Sequence, residues 1–227
     1  MEFFKKGKTK DIYKLENGDL LLRFKDTVTG HAEGQTDPGG NKVVGEIAGV
    51  GSNALRVTSY YFELLNKKGV PTHFVSSDVS KNEMVVKHAT HFGKGLEFIV
   101  RYIATGSFLK RFGLYCKDGD IMSPPVYEVT LKDDDHDDPP VTIDICESLK
   151  LVTREQYHFL KSQTLDICNL IKDDLAKKGI VLYDIKTEFG YVDGKIVLID
   201  EISAGNMRAF KDGKKLDYDT LSKLIIE

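Results

Sequence analysis

No stretch of the chain approaches the roughly 20 consecutive apolar residues of a membrane-spanning helix, so a bilayer span is not expected. Cysteine is scarce. Cys116, Cys146 and Cys168 are odd in number, lie far apart and form neither a CxxC pair nor a zinc-ligand spacing, which argues against a disulfide framework or a structural zinc and suits a reducing cytoplasm. An excess of basic charge is missing too. With 32 Lys and Arg against 35 Asp and Glu the formal net charge is -3, so no global field draws the chain to nucleic acid or anionic lipid, and neither is expected as a partner. Charge appears at Glu2, and no apolar run precedes Gly7, so a secretory signal is not expected. There is no internal repeat, no HExxH, no GxSxG elbow and no Ser-His-Asp order, and His88 with His91 reads as a surface pair. What remains is an ordinary globular composition over 227 residues, enough for one large domain or two small lobes.

Local patterns divide the chain into a β-rich first half and an α+β remainder. Ile12–Leu15 and Leu20–Phe24 flank the turn Glu16-Asn17-Gly18-Asp19 and predict a β-hairpin. Seven glycines and Pro38 between Gly30 and Gly51 predict a mobile loop holding at most a short strand. Ser52 or Asn53 is placed to cap a helix that buries Leu55, Tyr61, Phe62, Leu64 and Leu65 and ends at Gly69 and Pro71. Strands are expected over residues 72–78, 83–88 and 96–101. Thr153-Arg154-Glu155-Gln156 is a capping box that opens the longest helix, with Leu160, Ile167, Ile171 and Leu175 at helical spacing up to Gly179. Asp193-Gly194 then joins the strands Ile180–Lys186 and Lys195–Asp200.

Four constellations are chemically suggestive. Alternation puts Asp184, Lys186 and Glu188 on one strand face, which is either solvated or a site because burying it unpaired would be very costly. The partner strand ends in Asp200-Glu201, and two carboxylates from facing strands are a hard oxygen set for Mg²⁺. In plain register Asp200 and Glu188 point to opposite faces, so the pairing requires a bulge, expected at Gly190. Gly7-Lys8-Thr9-Lys10 lacks the upstream glycine and following helix of a P-loop. It reads instead as two lysines, Lys8 and Lys10, on one face at the start of a hairpin, which either contact phosphate or are a solvated terminus. Arg101 precedes a Gly106-Ser107 turn into a short helix, an arrangement that suits a phosphate ester or a plain helix cap. Residues 132–140 read as a solvated acidic loop, with Lys132 set apart.

In their order and spacing, Gly-Lys-Thr-Lys (7–10), Arg101 with Ala-Thr-Gly-Ser-Phe-Leu-Lys-Arg (104–111), Lys132 to Pro139, Asp-Ile-Lys-Thr-Glu-Phe-Gly (184–190) and Asp-Glu-Ile-Ser (200–203) resemble the phosphoribosylaminoimidazole-succinocarboxamide synthase (SAICAR synthetase) family over nearly the whole chain. The resemblance implies an α+β, two-lobed ATP-grasp/kinase-like nucleotide fold, with a small β-rich N-terminal lobe over 1–90, a larger α/β lobe over 91–227 and ATP in the cleft. It implies ATP-dependent joining of carboxyaminoimidazole ribonucleotide to L-aspartate, in the cytoplasm, with ATP and Mg²⁺ as cofactors, small molecules as partners and a homodimer allowed. Lys8 and Lys10 would approach the ATP phosphates, Lys87 would lie by the adenine, and Glu188 and Asp200 would hold Mg²⁺. Arg101, Ser107 and Arg208 would grip the 5′-phosphate. Lys132, Asp184 and Lys186 would position the reacting carboxylates, with Lys10 also catalytic.

Three departures from the family pattern fall, by the resemblance, near the substrate rather than near ATP: Ala204-Gly205 where Pro-Asp is usual, Gly30-His31-Ala32-Glu33-Gly34 in place of Ala-Gly-Asp-Gly, and a short segment after Leu216-Asp217. They keep open a paralogous ligase for a different acid or amine, a small-molecule kinase, and a nucleotide-binding protein without ligase activity.

Overall fold

A computed structural model of the chain describes residues 1–33 and 35–226. Gly34, within one of the departures, and the terminal Glu227 lie outside the described residues. The architecture is mixed α/β, with antiparallel sheets and few helices, and it divides into two compact units. The first is built from residues 1–90, 190–206 and 216 onward, the second from residues 91–189 and 207–215. No described helix is long and apolar enough to cross a membrane.

In the first unit, β1 (Glu2–Lys6), β2 (Lys10–Lys14) and β3 (Leu20–Phe24) open a five-stranded sheet. The β2–β3 hairpin forms as its alternation and turn predict, with Lys14 opposite Leu20 and Gly18 at φ 85°. Pairing in β2 begins only at Lys10, because Gly7 N–H donates to the Lys10 carbonyl and closes a turn. The expected alternation therefore does not reach Lys8, and the two lysines do not share a strand face.

The glycine-rich segment is not the loop expected. β4 (Thr27–Ala32), β5 (Gln35–Thr36) and β6 (Lys42–Glu46) form a three-stranded antiparallel sheet. Here glycine serves close backbone approach rather than disorder: a Cβ on Gly30 would lie 1.9 Å from the Gln35 carbonyl oxygen, and one on Gly40 would lie 2.2 Å from the Gly30 backbone.

α1 (Val50–Lys67) starts before the residues expected to cap it. Its leading amides are met instead by Asp26, whose two carboxylate oxygens accept from Gly49 N–H at 3.1 Å and Gly51 N–H at 2.9 Å. A carboxylate there satisfies orphan donors and complements the helix dipole. Leu55, Tyr61, Phe62 and Leu65 are buried, and Gly69 at φ 81° ends the helix as expected. β7 (Phe74–Asp78) and β8 (Glu83–Val86) complete the sheet in the order β1-β2-β3-β8-β7, and a short strand, β9 (Thr90–His91), follows.

The second unit contains β10 (Leu96–Ile103), α2 (Ser107–Phe112), β11 (Ile121–Leu131), α3 (Ile143–Ser148), α4 (Arg154–Lys177) and most of β12 (Val181–Val192). The chain then supplies β13 (Lys195–Ile199) to the first unit, β14 (Met207–Lys211) and β15 (Lys214–Lys215) to the second, and α5 (Tyr218–Ile226) to the first. The expected capping box is present at Thr153 and Gln156. Strand order is β11-β10-β12-β14-β15, all antiparallel.

β10 separates two faces by its period of two. Phe98, Val100 and Tyr102 are buried on the side of α4, where Tyr102 Oη donates to Asn169 and Phe98 meets Phe189 edge to face. Burying each such side chain contributes about 1.5–3 kcal/mol. Glu97 and Arg101 necessarily point the other way. At Gly190, where the sequence requires a bulge, a Cβ would sit 2.9 Å from the Thr90 carbonyl oxygen, so the chain runs tightly past β9.

Candidate active site

The second face of the β11-β10-β12-β14 sheet is charged and buried. Arg101 lies opposite Asp184, Asp184 opposite Arg208, and Glu97 opposite Glu188. Arg101 is 2% exposed, Asp184 3%, Glu97 4% and Glu188 4%. Ions removed from water to this extent persist only when paired, and the pairs are present. Of the row Asp184, Lys186 and Glu188, the two acids are buried and the lysine between them is partly exposed.

At one end, Asp184 Oδ2 accepts from Arg101 Nη1 at 2.8 Å and from Arg208 Nη1 at 2.6 Å. Arg101 also donates through Nη2 to Ser107 Oγ at 3.2 Å and through Nε to Glu128, which takes a second guanidinium from Arg111. Gly106 is at φ 56°, and a Cβ there would lie 2.5 to 2.9 Å from the Arg208 guanidinium atoms. The Gly-Ser turn thus gives Arg208 room and Arg101 a hydroxyl. At the other end, Lys186 Nζ donates to Glu97 Oε1 at 2.8 Å, Thr130 Oγ donates to the other oxygen of Glu97 at 2.9 Å, and Lys132 Nζ donates to Glu188 at 2.5 Å. Burial alone would depress the Lys186 pKa, but Glu97 and Glu188 outweigh it and hold the ammonium above the ordinary lysine value.

In the first unit, Lys10 Nζ contacts Asp200 Oδ1 at 2.9 Å and Glu201 Oε2 at 2.8 Å. Its pKa is raised by these two acids against the opposing effect of burial, so it is cationic at any physiological pH. Asp200 sits at φ 68°, a left-handed conformation that Asp tolerates better than most residues and that ends β13. Glu201 accepts from Ser203 Oγ at 3.2 Å, and Asn206 anchors the same turn by accepting from Ser203 N–H at 2.8 Å. Lys8 Nζ donates to the Asn41 carbonyl at 3.0 Å, and Lys87 Nζ to Asp19 at 3.0 Å.

The structure therefore brings together Arg101, Ser107, Asp184 and Arg208, then Lys132 with Glu188 and Lys186 alongside, and separately Lys10 with Asp200. Lys8 and Lys87 each engage other groups. Sequence reasoning missed Glu97, Thr130, Glu128 and Glu201. Glu97 did leave a signal, an acid alternating with Arg101 in an otherwise apolar strand, and Glu201 adjoined Asp200; Glu128 and Thr130 left none.

Glu188 and Asp200, the two carboxylates expected to hold a divalent cation, each face a lysine ammonium, and among the described residues no three metal-ligating side chains cluster.

The SAICAR synthetase model matches residues 3–224. The chain belongs to the SAICAR synthetase family. The phosphoribosylaminoimidazole-succinocarboxamide synthase of Clostridium tetani is 51% identical over 224 residues, spanning 98% of each chain. The crystal structure of the Ehrlichia chaffeensis synthase superposes with a TM-score of 0.88 at 27% identity, covering 99% of this chain and 98% of that one. A SAICAR synthetase solved in complex with ADP superposes at 0.84 with 29% identity, over 97% of this chain and 89% of that one. The five motifs thus identified the family correctly, and the family has the antiparallel α/β architecture found here.

Proposed function

We propose that this SAICAR synthetase family member ligates carboxyaminoimidazole ribonucleotide to L-aspartate in de novo purine biosynthesis, yielding SAICAR, ADP and phosphate. The observation that carries the reading is the row of paired charges on one face of the second unit, with Arg101, Asp184, Glu97 and Glu188 buried, in a chain that the family model matches almost end to end. In the reaction the substrate carboxylate takes the γ-phosphoryl group and ADP leaves. The aspartate amine then attacks the acyl carbon, a C–N bond forms as the C–O bond to phosphate breaks, and the amine proton passes to solvent.

Arg101, Ser107 and Arg208 are assigned to the 5′-phosphate, since two buried guanidiniums and a hydroxyl at one point form a charge-assisted anion grip. Lys132 and Lys186 are assigned to the reacting carboxylates, where fixed cations offset charge that builds during transfer. Asp184 joins them through the arginines it holds. Lys8 and Lys10 are assigned to the ATP phosphates and Lys87 to the adenine. Glu188 and Asp200 would hold Mg²⁺, which when bound offsets phosphate charge. Holding the substrates in line is most of the catalysis such a reaction needs. We read the fold as the two-lobed ATP-grasp/kinase-like type, with an N-terminal lobe over 1–90 and a C-terminal lobe over 91–227, from which residues 190–206 and 216 onward cluster with the first.

The test is ADP release with ATP, Mg²⁺, the ribonucleotide and individual amino acids, with the product identified by mass. Turnover that requires aspartate is expected. Turnover with another amine alone, or ATP binding without turnover, overturns the reading. Asp200→Asn should abolish turnover, and near-normal activity in that variant would remove its metal role.

A further inference from the structure

Glu128 lies on β11, outside every motif in the sequence, yet it completes the surroundings of Arg101. We propose that Glu128 is a positioning residue for the phosphate-gripping guanidinium of Arg101. The inference rests on the assignment of Arg101, Ser107 and Arg208 to the 5′-phosphate.

A guanidinium is planar and carries five N–H donors. In Arg101, Nε donates to Glu128, Nη1 to Asp184 and Nη2 to Ser107, which among the described residues leaves one N–H on each terminal nitrogen for a ligand. Asp184 and Ser107 hold only the terminal nitrogens. Glu128 holds the opposite edge and fixes the rotation of the plane, and with it the direction of the remaining donors. The Arg101 side chain is 2% exposed and that of Glu128 11%, so water does not substitute readily for this contact.

A carboxylate beside a phosphate site would repel the ligand, and the structure counters this. The second oxygen of Glu128 takes Arg111, whose guanidinium lies over the Phe112 ring. Arg111, Glu128, Arg101, Asp184 and Arg208 thus alternate in sign, with arginines at both ends. The carboxylate of Glu128 is thus flanked by a guanidinium on each oxygen, which offsets its repulsion of an incoming phosphate.

Orientation and charge make opposite predictions for E128Q. The substitution removes a negative charge, which by itself would tighten phosphate binding. It also turns an amide NH₂ toward a guanidinium, which breaks one of the two arginine contacts. The positioning role predicts that KM for the ribonucleotide rises about tenfold while kcat stays within about twofold and KM for ATP is unchanged. With the corresponding phosphate-free nucleoside as substrate, wild type and E128Q should have the same kcat/KM. A ribonucleotide KM that is unchanged or lowered overturns the proposal, as does an equal loss with the nucleoside. If E128Q does not fold, E128D carries the test: it keeps the charge but shortens the reach by one methylene, and the same rise in KM is expected. R101A separates the two levels of the argument. A raised ribonucleotide KM in R101A with none in either Glu128 variant refutes positioning alone, and no change in R101A refutes the phosphate assignment itself.

Discussion

Asn in place of Asp184 tests the core of the site with an almost isosteric change. The Asp184 carboxylate, 3% exposed, accepts from two guanidiniums that are themselves buried. The amide keeps the shape and loses the charge, so two buried cations lose the anion between them. Removing one partner from a buried ion pair costs about 3–5 kcal/mol, chiefly because the surviving charge stays desolvated. In a domain of this size each kcal/mol lowers Tm by about 2–4 °C, so the melting temperature should drop by about 6–20 °C. Urea unfolding followed by circular dichroism gives the free energy directly, and the variant should also show a raised KM for the ribonucleotide. A folded Asp184→Asn protein destabilised by less than about 1 kcal/mol would refute the reasoning, because the guanidiniums would then not depend on this carboxylate.

Further consequences are open to measurement. Gly106→Ala places a Cβ within 2.9 Å of the Arg208 guanidinium in a backbone conformation that L-residues avoid, so KM for the ribonucleotide should rise at least about tenfold with the ATP KM unchanged; unaltered kinetics would show that Arg208 moves freely. Asp26→Ala removes the side-chain acceptor of Gly49 and Gly51 and should cost about 0.5–2 kcal/mol by chemical denaturation without altering substrate affinities. Burial pushes the Cys168 thiol and the Tyr127 hydroxyl above their ordinary values. Both stay protonated in the folded protein at a pH where the unfolded chain releases them. Their contribution is therefore intact below the ordinary thiol value of 9.0 and is lost as pH rises beyond it toward the folded values. The urea midpoint should fall with pH in that alkaline range, and Cys168→Ala should flatten the slope; an equal slope would contradict the thiol's part in it.

The sequence alone determined the features that depend on neighbours along the chain. The β2–β3 hairpin follows from its turn residues, α4 from its capping box and helical spacing, and the common face of Asp184, Lys186 and Glu188 from the period of two. Family membership was legible for the same reason, since each motif is a short run of residues in a fixed order. Tertiary structure decided what those runs meet. Glu97 finds Lys186 from 89 positions away, Glu128 finds Arg101 from 27, and Asp26 reaches the start of α1 from a preceding strand connection. The glycine-rich segment misled for a related cause: in isolation glycine signals a flexible chain, and only the opposing backbone of Gln35 and of Gly30 reveals that it permits close strand contact. Pairing register and burial join distant residues, and burial turns a row of charges that water would screen into one where every ion must have a partner.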